Sequence, residues 1–244
     1  MSQYATPSDA DAAGALVVRL EGVSAGYGQT IVLSDLHFEA EAGAMTFVVG
    51  PAAAGKSSLV NLLRLALPPR SGRAEILGAD AARLSMAQRA RLKQRIGVIS
   101  EQPQFVEHWT TFENVALPMK IAGRKDSGVA DDVAELMAYV GLNTVSDEPV
   151  GRLSAAERRR AAIARALAAK PDLIVADEPT AGLSPDAGFR VMRLLEEMSR
   201  VGAAVVILTQ SEHLADDIAG ALWRLEHGRI EPLYQDEPYA EPNW

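Results

Sequence analysis

Nine consecutive residues limit the fold of this chain more than any others. Residues 50–58 read GPAAAGKSS and fit the pattern G-x-x-x-x-G-K-[ST], with Gly50, Gly55, Lys56 and Ser57 at the required places. The apolar run 44–49 (AMTFVV) precedes them and the helical run SSLVNLLRLAL begins at Ser57. A strand, a tight loop and a helix in that order turn backbone N–H groups toward one point at a helix N-terminus, where phosphate oxygens are attracted. Gly50, Pro51, Ala52, Ala53, Ala54, Gly55, Lys56, Ser57 and Ser58 are therefore the expected phosphate cradle. Lys56 adds a positive charge for the terminal phosphates of ATP, and Ser57 is placed to ligate Mg²⁺. An ordinary Gly-rich turn would need neither. Alanines at 52, 53 and 54 stiffen the loop, because Ala reaches positive φ only at a cost that Gly does not carry.

A second motif supplies carboxylates. Segment 173–180 (LIVADEPT) is an apolar strand ending in an acidic pair, and Pro179 prevents the strand from continuing. At the strand tip Asp177 would lie across from Ser57 and hold the Mg²⁺ shell, while Glu178 would polarise the water that attacks the γ-phosphate.

Around these motifs, apolar runs bounded by turn residues alternate with helical patterns, which predicts an α/β domain with a mostly parallel sheet. The buried strands expected are 44–49, 96–99 (IGVI), 173–176 and 204–208 (AVVIL). Segments 16–23, 31–38 and 73–77 read as half-exposed antiparallel strands flanking the P-loop unit. The stretch 110–150 predicts two or three helices broken at Gly123, Gly128 and Gly141, within a helical lobe of about residues 103–170 inserted in the core. Residues 1–15 and 232–244 read as loose polar tails around a domain of residues 16–231, the second acidic and rich in proline.

Composition narrows the function. The chain has no cysteine, so disulfides, thiolate metal sites and cysteine nucleophiles are excluded. A formal net charge of −8 argues against an electrostatic grip on nucleic acid or anionic lipid. No apolar run reaches the roughly 18 residues needed to cross a bilayer, and the first residues do not resemble a secretory signal. The expectation is a cytoplasmic protein whose membrane association, if any, comes through a partner.

The segment 153–183, LSAAERRRAAIARALAAKPDLIVADEPTAGL, resembles an ABC ATPase domain, whose signature L-S-G-G-[QE] heads a helix just before the acidic strand. The resemblance runs from about residue 17 to 231. It implies a P-loop NTPase core of ABC ATPase type, with an antiparallel β subdomain and an inserted helical lobe, and a head-to-tail homodimer with ATP at the interface. Within that family the segments GAMTFVVG, LKQRIGVISEQPQF, TFENVALPMKIAG and LLEEMSRVGAAVVILTQ are most similar to the cell-division ATPase FtsE. That resemblance implies a polytopic membrane partner of FtsX type, a link to the FtsZ division ring, and a location on the inner face of the cell membrane. Tyr27 falls where the family stacks an aromatic ring on adenine.

Four places depart from the family pattern. Glu101 takes the position of the Q-loop Gln that contacts Mg²⁺ and water, with Gln102 one residue late, and a one-residue register shift would put Gln102 there instead. In the signature Ala155 and Ala156 replace two glycines. Ser154 and Glu157 still form an S-x-x-E capping box that opens a helix running to Lys170, whose N-terminus would face phosphate in the other subunit through Ser154 and Ala156. Ser184 replaces the D-loop Asp and reads equally as a helix N-cap before Pro185. Gln210 stands where the family has its switch His; its neutral amide can donate one hydrogen bond to the γ-phosphate, and His213 is expected on the next helix as a surface residue. The reading that follows is weak ATP hydrolysis with Glu178 and Gln210 as the hydrolytic residues. The alternatives are an ATP-binding scaffold with negligible hydrolysis and the ATPase of a lipoprotein-release or export transporter.

Overall fold

Strand β1 (Leu16–Tyr27) buries alternate residues from Val18 to Leu20 and again from Val23 to Ala25, and β2 (Thr30–Glu41) does so from Leu36 to Ala40. This is the pattern of a sheet with one dry face. The two pair antiparallel through a turn at Gly28, whose φ is 54°. With β4 (Ser71–Ile76) and β5 (Ala79–Asp80) they form a four-stranded antiparallel sheet in the order β2-β1-β4-β5. The computed structural model describes residues 14–124, 126–215 and 220–233.

The second sheet obeys a different rule. Strands β3 (Met45–Val49), β7 (Leu173–Asp177) and β8 (Ala204–Thr209) are buried at every position, as central parallel strands covered on both faces must be. Together with β6 (Ile96–Ile99), β9 (Ala221–Glu226) and β10 (Arg229–Leu233) they stack in the order β10-β9-β3-β8-β7-β6, parallel except for the β9–β10 hairpin. Alternation along β8 divides the interior. Val205 and Ile207 face one core with Phe47, Val115, Met119 and Ile163; Val206 and Leu208 face the other with Phe38, Leu59 and Leu62. The first core lies under α3 (Thr111–Ile121), α4 (Asp126–Tyr139), α5 (Ala155–Leu167) and α6 (Pro185–Arg200), and the second between the two sheets and α1 (Lys56–Leu63), with Leu92 of α2 (Met86–Lys93) packed against it.

The buried strands lie within a residue of their expected limits, and the antiparallel ones run longer. Three expectations are corrected. Gly128 does not interrupt a helix but lies inside α4, whereas Gly123 and Gly141, with φ of 77° and 72°, do follow helix ends. Helix α5 stops at Leu167 and not at Lys170, because Pro171 disfavours helical backbone in the residue before it and Lys170 turns to φ 52°. His213 is exposed on the next helical element, as expected, though that element is a single turn of 3₁₀ helix, Glu212–Ala215. The hairpin β9–β10 was missed altogether, and β10 takes Pro232 and Leu233 from the supposed tail. Its sequence signal was present: LWRLE and RIEPL flank His227-Gly228, whose φ values of 48° and 75° suit a two-residue hairpin turn. The remaining tail residues, 1–13 and 234–244, lie outside the described residues.

Candidate active site

The loop between β3 and α1 is fixed by backbone contacts from three directions. Gly50 N–H donates to Thr209 O at 3.1 Å, Ala54 N–H to Pro51 O at 3.3 Å, and Gly228 N–H, from the β9–β10 turn, to Ala54 O at 3.0 Å. Gly50 is demanded by close approach: a Cβ there would lie 2.2 Å from Leu225 O on β9. Gly55 is demanded by conformation, with φ 111° at the N-cap of α1, and it offers that helix no side-chain cap. The first N–H groups of α1 are thus left for an anion. Lys56 is buried, and its Nζ donates to Gly50 O at 2.7 Å and Pro51 O at 2.9 Å, spanning the loop it is expected to serve. Ser57 is exposed on the first turn of α1, whereas Ser58 is buried.

Of the three alanines only Ala53 has positive φ, at 62°. Left-handed backbone costs an L-residue roughly 1–2 kcal/mol. Ala53→Gly is therefore expected to raise stability by about 0.5–1 kcal/mol after the unfolded-state entropy of Gly is subtracted. Ala53→Val should lower it, and thermal unfolding of the three proteins checks the order.

The acidic pair closes the site from β7. Asp177 is buried at the strand end, and its pKa is pushed up to about 6 by burial first, then by the charges of Glu101 and Glu178; Lys56 and Arg159 pull the other way. Glu101, Glu178 and Lys56 therefore all act on Asp177 through their charges, and the negative charge at this strand end is what a divalent cation would neutralise. Glu178 sits in left-handed backbone at φ 49°, and both its oxygens are held: Thr209 Oγ1 donates to Oε2 at 3.0 Å and Gln210 N–H to Oε1 at 2.7 Å. Gln210 thus reaches Glu178 by its main chain and not by its amide. Tyr27 ends β1 half exposed, its hydroxyl accepting from Asn61 Nδ2 on α1 at 2.9 Å, so an aromatic face stands beside the helix of the phosphate loop.

The signature region folds as its capping box requires. Ser154 Oγ accepts from Glu157 N–H at 3.3 Å, and the Glu157 carboxylate accepts from Ser154 N–H at 2.9 Å. Ser184 caps α6, accepting from Ala187 N–H at 3.4 Å. Among the described residues no hydrogen bond joins Ser154 or Ala156 to residues 50–58. Ala155 instead lines a cleft of about 280 Å³ with Glu101, Arg159, Ala181 and Gly182. Sequence reasoning missed how α5 grips the Q-loop segment. Arg159 donates to Ser100 O at 3.1 Å and Arg165 to Gln104 O at 2.6 Å, Arg158 pairs with Glu107 at 2.7 and 2.8 Å, and the Arg158 and Arg165 guanidinium groups both lie over Phe105. The run RRRAAIAR held that signal, but only as an excess of Arg on a helix.

A family model described as ABC transporter matches residues 33–181, more than half of the chain, and takes in the phosphate loop, Glu101, the signature helix, Asp177 and Glu178. The chain belongs to the ABC transporter family. Among ABC relatives, the methionine import ATP-binding protein MetN of Cereibacter sphaeroides is 34% identical over 84% of this chain. The arginine transport ATP-binding protein ArtP of Haemophilus influenzae is 31% identical over 93%. The cell division ATP-binding protein FtsE of Mycobacterium tuberculosis is 29% identical over 88%. The chain spans 58% of the length of that MetN, 96% of ArtP and 94% of FtsE. A bacterial ABC transporter cassette solved as a dimer superposes with TM-score 0.81 at 25% identity, covering 88% of this chain and 96% of the cassette. The same cassette in a post-hydrolysis state with ADP and Pi gives 0.80, covering 90% and 100%. ATP with Mg²⁺ is what an ABC cassette binds, and the uncapped α1 N-terminus, Lys56, Ser57 and Asp177 fit that pair in charge and donor type.

Proposed function

We propose that this chain is the ATP-hydrolysing subunit of a membrane ABC complex, acting as a homodimer that binds Mg²⁺·ATP and turns it over slowly. The observation that carries the reading is the assembly of Asp177, Glu178 and Lys56 beside the phosphate loop, with the Glu178 carboxylate fixed by two donors. The loop N–H groups and Lys56 would hold the β- and γ-phosphates, Ser57 and Asp177 the Mg²⁺ that neutralises them, and Tyr27 the adenine by stacking. Glu178 would orient water and take its proton while the water oxygen bonds to the γ-phosphorus; the bond to the bridging oxygen breaks and ADP leaves with the electron pair. Slow turnover follows from the altered closing surfaces. Methyl groups at Ala155 and Ala156 crowd the approach of a second subunit, Ser184 brings no charge, and Gln210 brings a neutral amide.

No helix of the described residues is long and apolar enough to cross a bilayer, and in this reading a polytopic partner supplies the membrane-spanning part. The resemblance segments and the 29% identity to FtsE support a cell-division role with an FtsX-type partner, near the FtsZ ring at the inner face of the membrane. A second reading, the ATPase of an amino-acid importer, is favoured by the higher identities to MetN and ArtP. Co-purification of the full chain from membranes separates them. An FtsX-like partner supports the first, and an import permease overturns it in favour of the second. Phosphate release by the purified complex indistinguishable from buffer would overturn hydrolysis and leave an ATP-binding scaffold.

A further inference from the structure

The last residue of β8 has a role that the chemistry above leaves unassigned. Thr209 is buried at 2% exposure, and its hydroxyl has two partners. Ser211 N–H donates to Thr209 Oγ1 at 3.1 Å, and Oγ1 lies 3.0 Å from Glu178 Oε2. A hydroxyl carries one proton. With Ser211 N–H occupying a lone pair, that proton is directed at the carboxylate. Gln210 N–H donates to the other carboxylate oxygen at 2.7 Å, and Thr209 O accepts from Gly50 N–H, the first residue of the phosphate loop, at 3.1 Å. One residue therefore links the start of the phosphate loop to the carboxylate expected to act on water.

We infer that Thr209 is a positioning residue for hydrolysis: its hydroxyl, together with the Gln210 N–H, sets the orientation of the Glu178 carboxylate. The inference rests on the role proposed above for Glu178. That side chain needs outside support, because its terminal torsion is broad and soft and its backbone has left the strand for φ 49°. Each oxygen accepts one hydrogen bond from the switch segment and keeps lone-pair capacity for a water. Removing one donor leaves the phosphate loop and its ATP contacts in place but lowers the share of bound complexes in which the carboxylate is aligned. Such a loss falls on kcat and not on KM.

The test compares Thr209→Val, which keeps the shape without the hydroxyl, with Thr209→Ser, which keeps the hydroxyl. Steady-state ATP hydrolysis is measured with the full chain in its membrane complex. Thr209→Val should lower kcat by roughly 10–100-fold with KM within about threefold, and Thr209→Ser should restore kcat to within about threefold of the parent. In a Glu178→Gln background Thr209→Val should cause no further loss, because the group it positions is gone. If Thr209→Val does not fold, Thr209→Ala carries the same comparison. The inference is overturned by parental turnover in Thr209→Val, by a Thr209→Ser variant as slow as Thr209→Val, or by KM rising in step with the loss. Glu178→Gln distinguishes this failure from that of the underlying reading. If it hydrolyses like the parent, the role of Glu178 falls; if it is slow while Thr209→Val is unimpaired, only the positioning role falls.

Discussion

Glu178→Gln is expected to lower ATP hydrolysis by about 10²–10³-fold while ATP affinity stays within threefold, because it removes a proton acceptor without touching the loop that holds phosphate. The surroundings of the side chain sharpen this. Both oxygens of Glu178 face donors, Thr209 Oγ1 and Gln210 N–H. A Gln amide can accept from only one of them and must turn its NH₂ toward the other. Thr209 cannot easily reverse its hydroxyl, since Ser211 N–H already donates to it. The variant should therefore also lose about 0.5–1.5 kcal/mol of stability without nucleotide, the cost of one hydrogen bond. Single-turnover hydrolysis with labelled ATP and thermal unfolding of the free protein give the two readouts. Hydrolysis at the parental rate would remove Glu178 from the mechanism.

Asp177→Asn should act in opposite directions on function and stability. Mg²⁺-dependent hydrolysis should fall by roughly 10²-fold or more, since an ionised oxygen ligand is lost where a hard divalent cation must be held. The nucleotide-free protein should become more stable at neutral pH. The native pKa of Asp177 is pushed up to about 6, above the usual carboxylate value near 4. A raised native pKa means that the folded state binds the proton more tightly than the unfolded chain does. The contribution of this group is thus fully favourable below about pH 4 and is lost as pH rises through about 6. Asn carries no such loss, so the variant should gain about 1–2 kcal/mol at pH 7.5, allowing for partial solvent screening. The gain should shrink as pH is lowered from 7 toward 5. Unfolding midpoints of both proteins across that range, without Mg²⁺, check the sign, and a gain that grows toward acid pH would contradict the assignment. The same shift predicts that the Mg²⁺ concentration needed for ATP binding rises below about pH 6, where protons compete for Asp177.

The altered closing surfaces can be weighed residue by residue. Ser184 is an N-cap and Ser154 with Glu157 a complete capping box, so both substituted regions keep their helices in place. Three of the four Arg side chains of α5, Arg158, Arg159 and Arg165, bind the Q-loop segment from Ser100 to Glu107 to that same helix. A displacement of the signature end of α5 would therefore carry Glu101 with it. The sequence shows that Arg is abundant in α5. Only the fold shows that these residues meet residues some 50–60 positions away.

Sequence alone determined the local units: the P-loop between β3 and α1, the carboxylates at the end of β7, the Ser154–Glu157 capping box, and the continuous apolar runs of the central strands. In each the deciding interaction lies between residues a few positions apart, where periodicity, Gly and Pro constraints and caps express themselves directly. Tertiary structure alone decided why Gly50 must be glycine, through Leu225 O on β9, and which alanine bears the strain of the loop. It also decided that Gly228 braces Ala54, that Glu101 bears on Asp177, and that Thr209 meets Glu178. These depend on main-chain atoms and single hydroxyls brought together from distant segments, and such groups leave no periodic trace in a sequence. The phosphate loop was legible because its chemistry is local; the setting of the carboxylate beside it was not, because it is made by strand neighbours that only the sheet order defines.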